Sequence, residues 1–248
     1  MIELAIEATD FPNAWVALCK TIAFEGDERV IGGGQERKII KDAVTITVLR
    51  EQACQQVLQK VIHSKNPFKR VDEYLNEFTR IWLLEYYTRP KKEQFAYTYI
   101  DRLTSEILFS MDQLHVLKEE LATQMKEVIT SNRVQAITWI PSMDCYSRTP
   151  PCLQRVVVRY LGKHEVDLHL TWRSRDCYNA WAVNVVALAD CINREVVQPN
   201  NCRIVRIVDF NDSLHVYKGD WAQAKKLEYE TSPPYFQSGV IIHKMEDD

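Results

Sequence analysis

Trp172-Arg173-Ser174-Arg175-Asp176-Cys177-Tyr178-Asn179-Ala180-Trp181-Ala182-Val183-Asn184 is the stretch in which one periodicity hands over to another. Before it, Val166, Leu168, Leu170 and Trp172 alternate with Asp167, His169 and Thr171, the period of two expected of a strand with one buried and one polar face. After it, Trp181, Val185, Leu188 and Ile192 recur at helical spacing. A strand end therefore feeds a helix start, and polar side chains crowd the joint. Arg173 carries a planar fork of donors suited to phosphate oxygens. Asp176 and Asn184 offer an acceptor and a mixed donor/acceptor amide for a base edge. Upstream stands Pro150-Pro151-Cys152, a thiol set in a stiff turn, and downstream stands His215-Val216-Tyr217.

Leu153 to Leu161 and His164 to Trp172 read as a hairpin around Gly162-Lys163, and Val134 to Ile140 as a strand ended by Pro141. The polar face of His164 to Trp172 is expected to look onto a partner subunit or a cavity. Pro199-Asn200-Asn201 stops the helix that begins near Ala180; Cys202 to Phe210 is then a buried strand and Asp220 to Leu227 a short helix. On the N-terminal side, Asp101 is placed to cap a long helix running to about Thr130. Its buried stripe would be Leu103, Ile107, Met111, Leu114, Leu117, Leu121 and Met125. Phe95-Ala96-Tyr97-Thr98-Tyr99 is a short aromatic extended piece. Glu51 to His63 and Val71 to Tyr87 are expected helices separated by Ser64-Lys65-Asn66-Pro67. The second of these carries Glu73, Glu77, Trp82 and Tyr86, either an amphipathic surface or the wall of a pocket.

Val44 to Leu49 alternates as a strand, and Phe11 to Phe24 is a helix with Trp15, Leu18, Cys19 and Ile22 on one face. Between them Gly26 to Arg37, with Gly32-Gly33-Gly34 inside it, reads as a flexible charged loop. It lacks the Lys-Ser/Thr ending of a P-loop, so its interest lies in Arg29, which a mobile loop can close over a phosphate. Strands and helices mix without a regular βαβ rhythm. The expected class is α+β, one domain over 1–248, a mixed sheet with flanking helices.

A length of 248 residues with 46% apolar and 26% charged residues suits an ordinary globular chain. A formal net charge of -3 gives no broad pull toward nucleic acid polymers or anionic membrane, so any phosphate site must be local. No apolar run approaches the length of a membrane span, and Met1-Ile2-Glu3-Leu4 has no signal-like character. Seven cysteines, an odd number, are scattered without a CxxC or a paired His spacing. That pattern argues against a disulfide framework and a zinc site, and for a reducing cytoplasm.

Chemistry needs something that makes the Cys152 thiolate, and Arg173 is the candidate cation. His215 is a second candidate, against the commoner role of a hydrogen-bonded structural histidine. Neither a Ser-His-Asp order nor a Cys-His-Asn protease context surrounds them. From the residues alone the reading stops at a candidate nucleophilic cysteine beside an anion site.

Taken in order, Pro150-Pro151-Cys152, Arg173-Ser174-x-Asp176 with Asn184 eight residues on, and His215-x-Tyr217 resemble the thymidylate synthase family. The match is good over 133–221. It extends loosely to Arg29 and to the Tyr97-Thr98-Tyr99 island, whose wording, with Leu214-His215-Val216-Tyr217, is similar to the short archaeal-type branch. The resemblance implies a thymidylate synthase-like domain, working as a homodimer with a sheet face at the interface. It implies that Cys152 adds to C6 of a pyrimidine nucleoside monophosphate. Arg173 and Arg29 would hold the 5′-phosphate, joined by Arg133 from the other subunit, with Ser174 assisting. Asn184 would read the base edge, and His215 and Tyr217 would bind the sugar hydroxyl. Asp176 and Tyr99 would orient the cofactor and the proton-transfer network. A glutamate removes the C5 proton in the family, and here Glu77 is the candidate, with Glu73 beside it. The implied cofactor is 5,10-methylenetetrahydrofolate or, given the branch, methylenetetrahydromethanopterin.

The chain departs from the family pattern in three places. Leu153 follows the cysteine where His is usual, Ala180 stands where Gly is expected, and His243 to Asp248 replaces an apolar C-terminal tail. Nucleotide hydroxymethylases share every step until water quenches the exocyclic methylene, and a non-catalytic nucleotide-binding relative would keep Arg173 and Asn184. Cytosine-specific hydroxymethylases carry Asp at the position matching Asn184, so Asn184 favours a uracil nucleotide, and the expected reaction is dUMP to dTMP.

Overall fold

The computed structural model describes residues 2–32, 37–60, 71–229 and 239–244. In chain order its elements are β1 (Glu3–Ala8), α1 (Phe11–Glu25), β2 (Asp27–Ile31), β3 (Lys38–Leu49), α2 (Glu51–Leu58), α3 (Val71–Asn76) and α4 (Arg80–Tyr87). There follow α5 (Tyr99–Thr104), α6 (Glu106–Phe109), α7 (Gln113–Glu127), β4 (Ala136–Ile137), α8 (Pro141–Asp144), β5 (Leu153–Gly162) and β6 (Glu165–Trp172). Then come β7 (Arg175–Asp176), a π-helical turn at Cys177–Trp181, α9 (Ala182–Ile192), β8 (Arg203–Tyr217), α10 (Trp221–Lys226) and β9 (Val240–Lys244).

The nine strands among the described residues form one mixed sheet in the order β4-β5-β6-β8-β3-β1-β9, with β2 beside β3 and β7 beside β8. β1–β3, β6–β8 and β7–β8 are parallel pairs; the rest are antiparallel. The α+β class and the flanking helices expected from the sequence are therefore present. On one face Leu168, Leu170 and Trp172 of β6, Ile207 of β8 and Leu49 of β3 are fully buried under α1, α2 and the helix from Cys177 to Val197. On the other face Val157, His169, Val208 and Val48 run in one row across four strands, and all are half-exposed. Among the described residues no helix is long and apolar enough to cross a membrane.

The hairpin forms with its turn one residue later than expected. Lys163 and His164 take φ of 51° and 61°, the double left-handed pair of a two-residue type I′ turn whose twist suits the flanking strands. Other expectations need correction. The charged segment after α1 is not a loop: Asp27–Ile31 pairs antiparallel with Lys38–Asp42, and its charges on both faces hide the alternation. β3 begins at Lys38 rather than Val44, and β8 runs on to Tyr217 rather than ending at Phe210. The helix expected over Val71 to Tyr87 breaks at 77–79, where the Thr79 hydroxyl accepts from the Trp82 N–H at 3.1 Å and starts a new helix. The helix expected from Asp101 to Thr130 is three helices capped by Thr98, Ser105 and Asp112. Local caps compete with the apolar stripe there, and Ile107, assigned to that stripe, is 96% exposed. Phe95 to Thr98 is irregular and Tyr99 opens α5. Of the 134–140 strand Ala136–Ile137 forms the ladder with β5, the Thr138 N–H adds a bond to the Gln154 carbonyl at 3.1 Å, and Pro141 opens a helix turn instead of closing a strand. Gly33-Gly34, Ser64-Lys65-Asn66-Pro67, the end of the 51–63 helix and Met245 to Asp248 lie outside the described residues.

Candidate active site

β6 ends at Trp172, and the next N–H, of Arg173, donates to the Cys152 carbonyl at 3.0 Å. The two islands are thus held edge to edge. The prolines leave their carbonyls unused by any ladder, and Arg173 takes both: Nε donates to Pro151 O at 3.0 Å and Nη2 to Pro150 O at 2.7 Å. This clamp sets Nη2 3.6 Å from Cys152 Sγ. The guanidinium is thus within reach of the sulfur. Cys152 is half-buried, open enough to meet a substrate.

The chain then steps to β7, whose Asp176 pairs with His215 of β8. The Asp176 carboxylate caps the following turn, accepting from the Asn179 N–H at 2.9 Å and the Asn179 side chain at 3.1 Å. Burial raises its pKa, against the Asn179 hydrogen bonds and the nearby His215. Burial lowers the pKa of His215, opposed by Asp176, so desolvation drives the two toward a neutral pair. His215 Nδ1 lies 3.4 Å from the Ser213 carbonyl, and among the described residues its buried Nε2 has no partner. Tyr217 meets the His215 ring edge-on at 4.9 Å. Burial raises the Tyr217 pKa, helped by Asp176 and by Cys152, so both acidic groups are near it.

A cavity of about 390 Å³ is lined by Tyr74, Glu77, Phe78, Phe95, Tyr97 and Tyr99, among others. Tyr97 and Tyr99 meet edge-on at 5.5 Å, and Tyr99 meets Phe78 at 6.0 Å and Trp172 at 5.8 Å. Burial raises the hydroxyl pKa of both tyrosines, and Cys152 acts on each, with a backbone hydrogen bond to Tyr97. The cavity therefore adjoins the thiol. Asn184, 3% exposed on α9, reaches its wall by donating from Nδ2 to the Tyr74 hydroxyl at 3.0 Å.

Of the residues singled out from the sequence, the structure gathers Cys152, Arg173, Tyr99 and Tyr217, sets Asp176 against His215, and puts Glu77 in the cavity wall. Glu73, the other candidate base, is exposed. Ser174 is half-buried between Arg173 and β7. Arg29 belongs to a strand instead of a mobile loop, and its Nε is 3.1 Å from the buried Asp42 carboxylate. Arg133 is exposed between α7 and β4. Among the described residues no hydrogen bond or ion pair joins its side chain to the others.

Several residues escaped the sequence reading. Tyr74 of α3 stands three positions before Glu77, which lies just past the end of that helix, and both line the same cavity. Arg37 and Lys38 line a second cavity of about 500 Å³ with Tyr217, Lys38 lying 5.1 Å over the tyrosine ring. Beneath the site, Asp209 accepts from Trp172 Nε1 at 3.0 Å, Trp181 Nε1 at 2.9 Å and Asn211 Nδ2 at 2.8 Å, and pairs with the buried Arg175. Arg175 stacks on Trp172 at 4.2 Å. Nothing in the local sequence signals that hub.

No protein-family model matches the chain. A protein of Methanothermobacter marburgensis named "Putative thymidylate synthase" is 28% identical over 211 residues, 77% of this chain and 90% of that one. One of the same name from Methanothermobacter thermautotrophicus is 25% identical over 244 residues, 90% of this chain and 97% of that one. A third, from Methanosarcina mazei, is 30% identical over 141 residues, 54% of this chain and 59% of that one. These matches support a thymidylate synthase-like family for this chain.

Proposed function

We propose that the chain is a thymidylate synthase, a methyltransferase-type enzyme that converts dUMP to dTMP through a covalent bond between Cys152 and pyrimidine C6. The observation that carries the proposal is the Arg173 guanidinium clamped 3.6 Å from Cys152 Sγ, beside an aromatic cavity whose wall includes Glu77. Addition of the thiolate at C6 makes C5 nucleophilic, which uracil alone is not. Arg173 serves as thiolate partner and phosphate ligand. Arg29 would reach a phosphate only by leaving Asp42, and Arg37 and Lys38, beside Tyr217, are nearer at hand for charge on that side. His215 and Tyr217 meet the sugar, and Ser174 assists Arg173.

The ring-lined cavity fits a flat reduced pterin. Tyr97, Tyr99, Phe78 and Phe95 would hold its faces, and Asp176 would accept from its donors. Bound there, methylenetetrahydrofolate or methylenetetrahydromethanopterin supplies the one-carbon unit and the reducing electrons. Glu77, half-buried at the cavity wall, would take the C5 proton as the transferred carbon parts from its carrier; once hydride has reduced that carbon to methyl, the C6–S bond breaks and Cys152 leaves as thiolate. The aromatic walls would limit the access of water. We further assign the catalytic unit to the whole of 1–248, acting in the cytoplasm as a homodimer whose interface is the half-exposed sheet face.

The test is incubation of the protein with dUMP and each methylene carrier, followed by mass analysis of the nucleotide. A methyl product is expected. A hydroxymethyl product would assign the protein to the hydroxymethylases, and nucleotide binding without any product would make it a non-catalytic relative.

A further inference from the structure

We propose that Tyr74 is the positioning residue that locks the Asn184 amide in one orientation and so makes the site choose uracil over cytosine. The inference rests on the nucleotide reading above and adds a residue to it. An asparagine amide presents a donor end and an acceptor end of nearly the same shape, so its selectivity depends on what prevents a flip. Asn184 is buried on α9. Among the described residues its side-chain hydrogen bond is the one to Tyr74 Oη, 3.0 Å from Nδ2.

A tyrosine hydroxyl both donates and accepts, so by itself it would tolerate either amide orientation. The asymmetry comes from Glu77, three residues further along and in the same cavity wall. Burial pushes the Tyr74 pKa up to about 12, and the Glu77 charge adds to that rise. The hydroxyl stays protonated, and the negative charge attracts its hydrogen. Its lone pair is then left for the Asn184 Nδ2. A flipped amide would set Oδ1 against that lone pair, acceptor to acceptor. In the locked orientation the second N–H of Nδ2 and the Oδ1 remain for the base. They match O4 and N3–H of uracil, and they oppose N4–H and N3 of cytosine.

The experiment measures equilibrium dissociation constants of dUMP and dCMP for the full chain, without any methylene carrier. Tyr74→Phe, which removes only the hydroxyl, is expected to lower the preference for dUMP about tenfold, the size of one buried hydrogen bond. In an Asn184→Asp background the same change is expected to leave the ratio within about twofold, because a carboxylate looks the same after a flip. Glu77→Gln keeps the hydroxyl and removes the charge, and is expected to lower the preference in the same direction as Tyr74→Phe. An unchanged ratio in both single variants overturns the inference, as does an equal change in the two backgrounds, which would mean general damage to the pocket. A wild type that does not prefer dUMP fails at the earlier step, the reading of Asn184 as the base-reading residue.

Discussion

Cys152 differs from the other cysteines in surroundings more than in sequence. Cys54 and Cys191 are buried, and burial pushes both thiols up to about 12, so at neutral pH they are protonated and shielded. Cys145 is exposed, and Cys152 is half-buried with a guanidinium 3.6 Å from its sulfur. Alkylation of the native protein at neutral pH is therefore expected at Cys152 and Cys145, with dUMP protecting only Cys152; peptide mapping that finds equal protection of both would count against the assignment. Cys152→Ser is expected to cut turnover by roughly a thousandfold or more while dUMP still binds, because a serine hydroxyl is a far weaker nucleophile. His215 supplies a pH signature. Its folded pKa lies below the unfolded value of about 6.5. Below that pH the unfolded chain takes up a proton that the folded ring refuses, so stability falls as pH drops from about 6.5 toward the folded pKa. Denaturant titrations of wild type and His215→Gln between neutral and mildly acidic pH should show that slope reduced in the variant; parallel curves would contradict it.

Between elements, the Asp209 hub under the site joins β6, β7, the π-helical turn and β8. Asp209→Ala would leave the Arg175 charge buried and unpaired, at a cost of about 3–5 kcal/mol. Arg175→Met combined with Asp209→Asn keeps an acceptor for the two indoles and is expected to cost less than Asp209→Ala alone. Unfolding free energies in the reverse order would refute this account. These connections also mark how far a sequence can be read. α1, the β5–β6 hairpin and α9 were legible because each hides one face, and hiding one face imposes a period. β2 was not, because Asp27, Glu28 and Arg29 leave no apolar alternation to find. The three helices between Tyr99 and Glu127 were read as one because Thr98, Ser105 and Asp112 are ordinary polar residues until their side chains accept a backbone N–H. Cys152 and Arg173 stood out as members of compact islands. The Tyr74–Asn184 contact spans 110 residues and the Arg175–Asp209 pair 34, and such pairings follow from the fold rather than from local spacing.

At the scale of the molecule, two rows of the uncovered sheet face stand out: Val157, His169, Val208 and Val48, and beside them Arg155, Thr171, Phe210 and Ile46. The homodimer proposed above would bury these rows, and the resemblance adds that Arg133 acts on the neighbour's phosphate. Mixed Cys152→Ala and Arg133→Ala subunits are then expected to recover roughly a quarter of wild-type activity, since about half the dimers are hybrids with one intact site each. No recovery after confirmed subunit exchange would exclude a shared site. The hub beneath the site has an optical consequence as well. Trp15, Trp172 and Trp181 are at most 1% exposed, so the native protein should emit at short wavelength and shift to the red as it unfolds. Trp172 touches both Tyr99 in the cavity wall and the Arg175 cation. A ligand that moves Tyr99 therefore alters the field around one indole, and occupancy can be read from the protein's own fluorescence without a label.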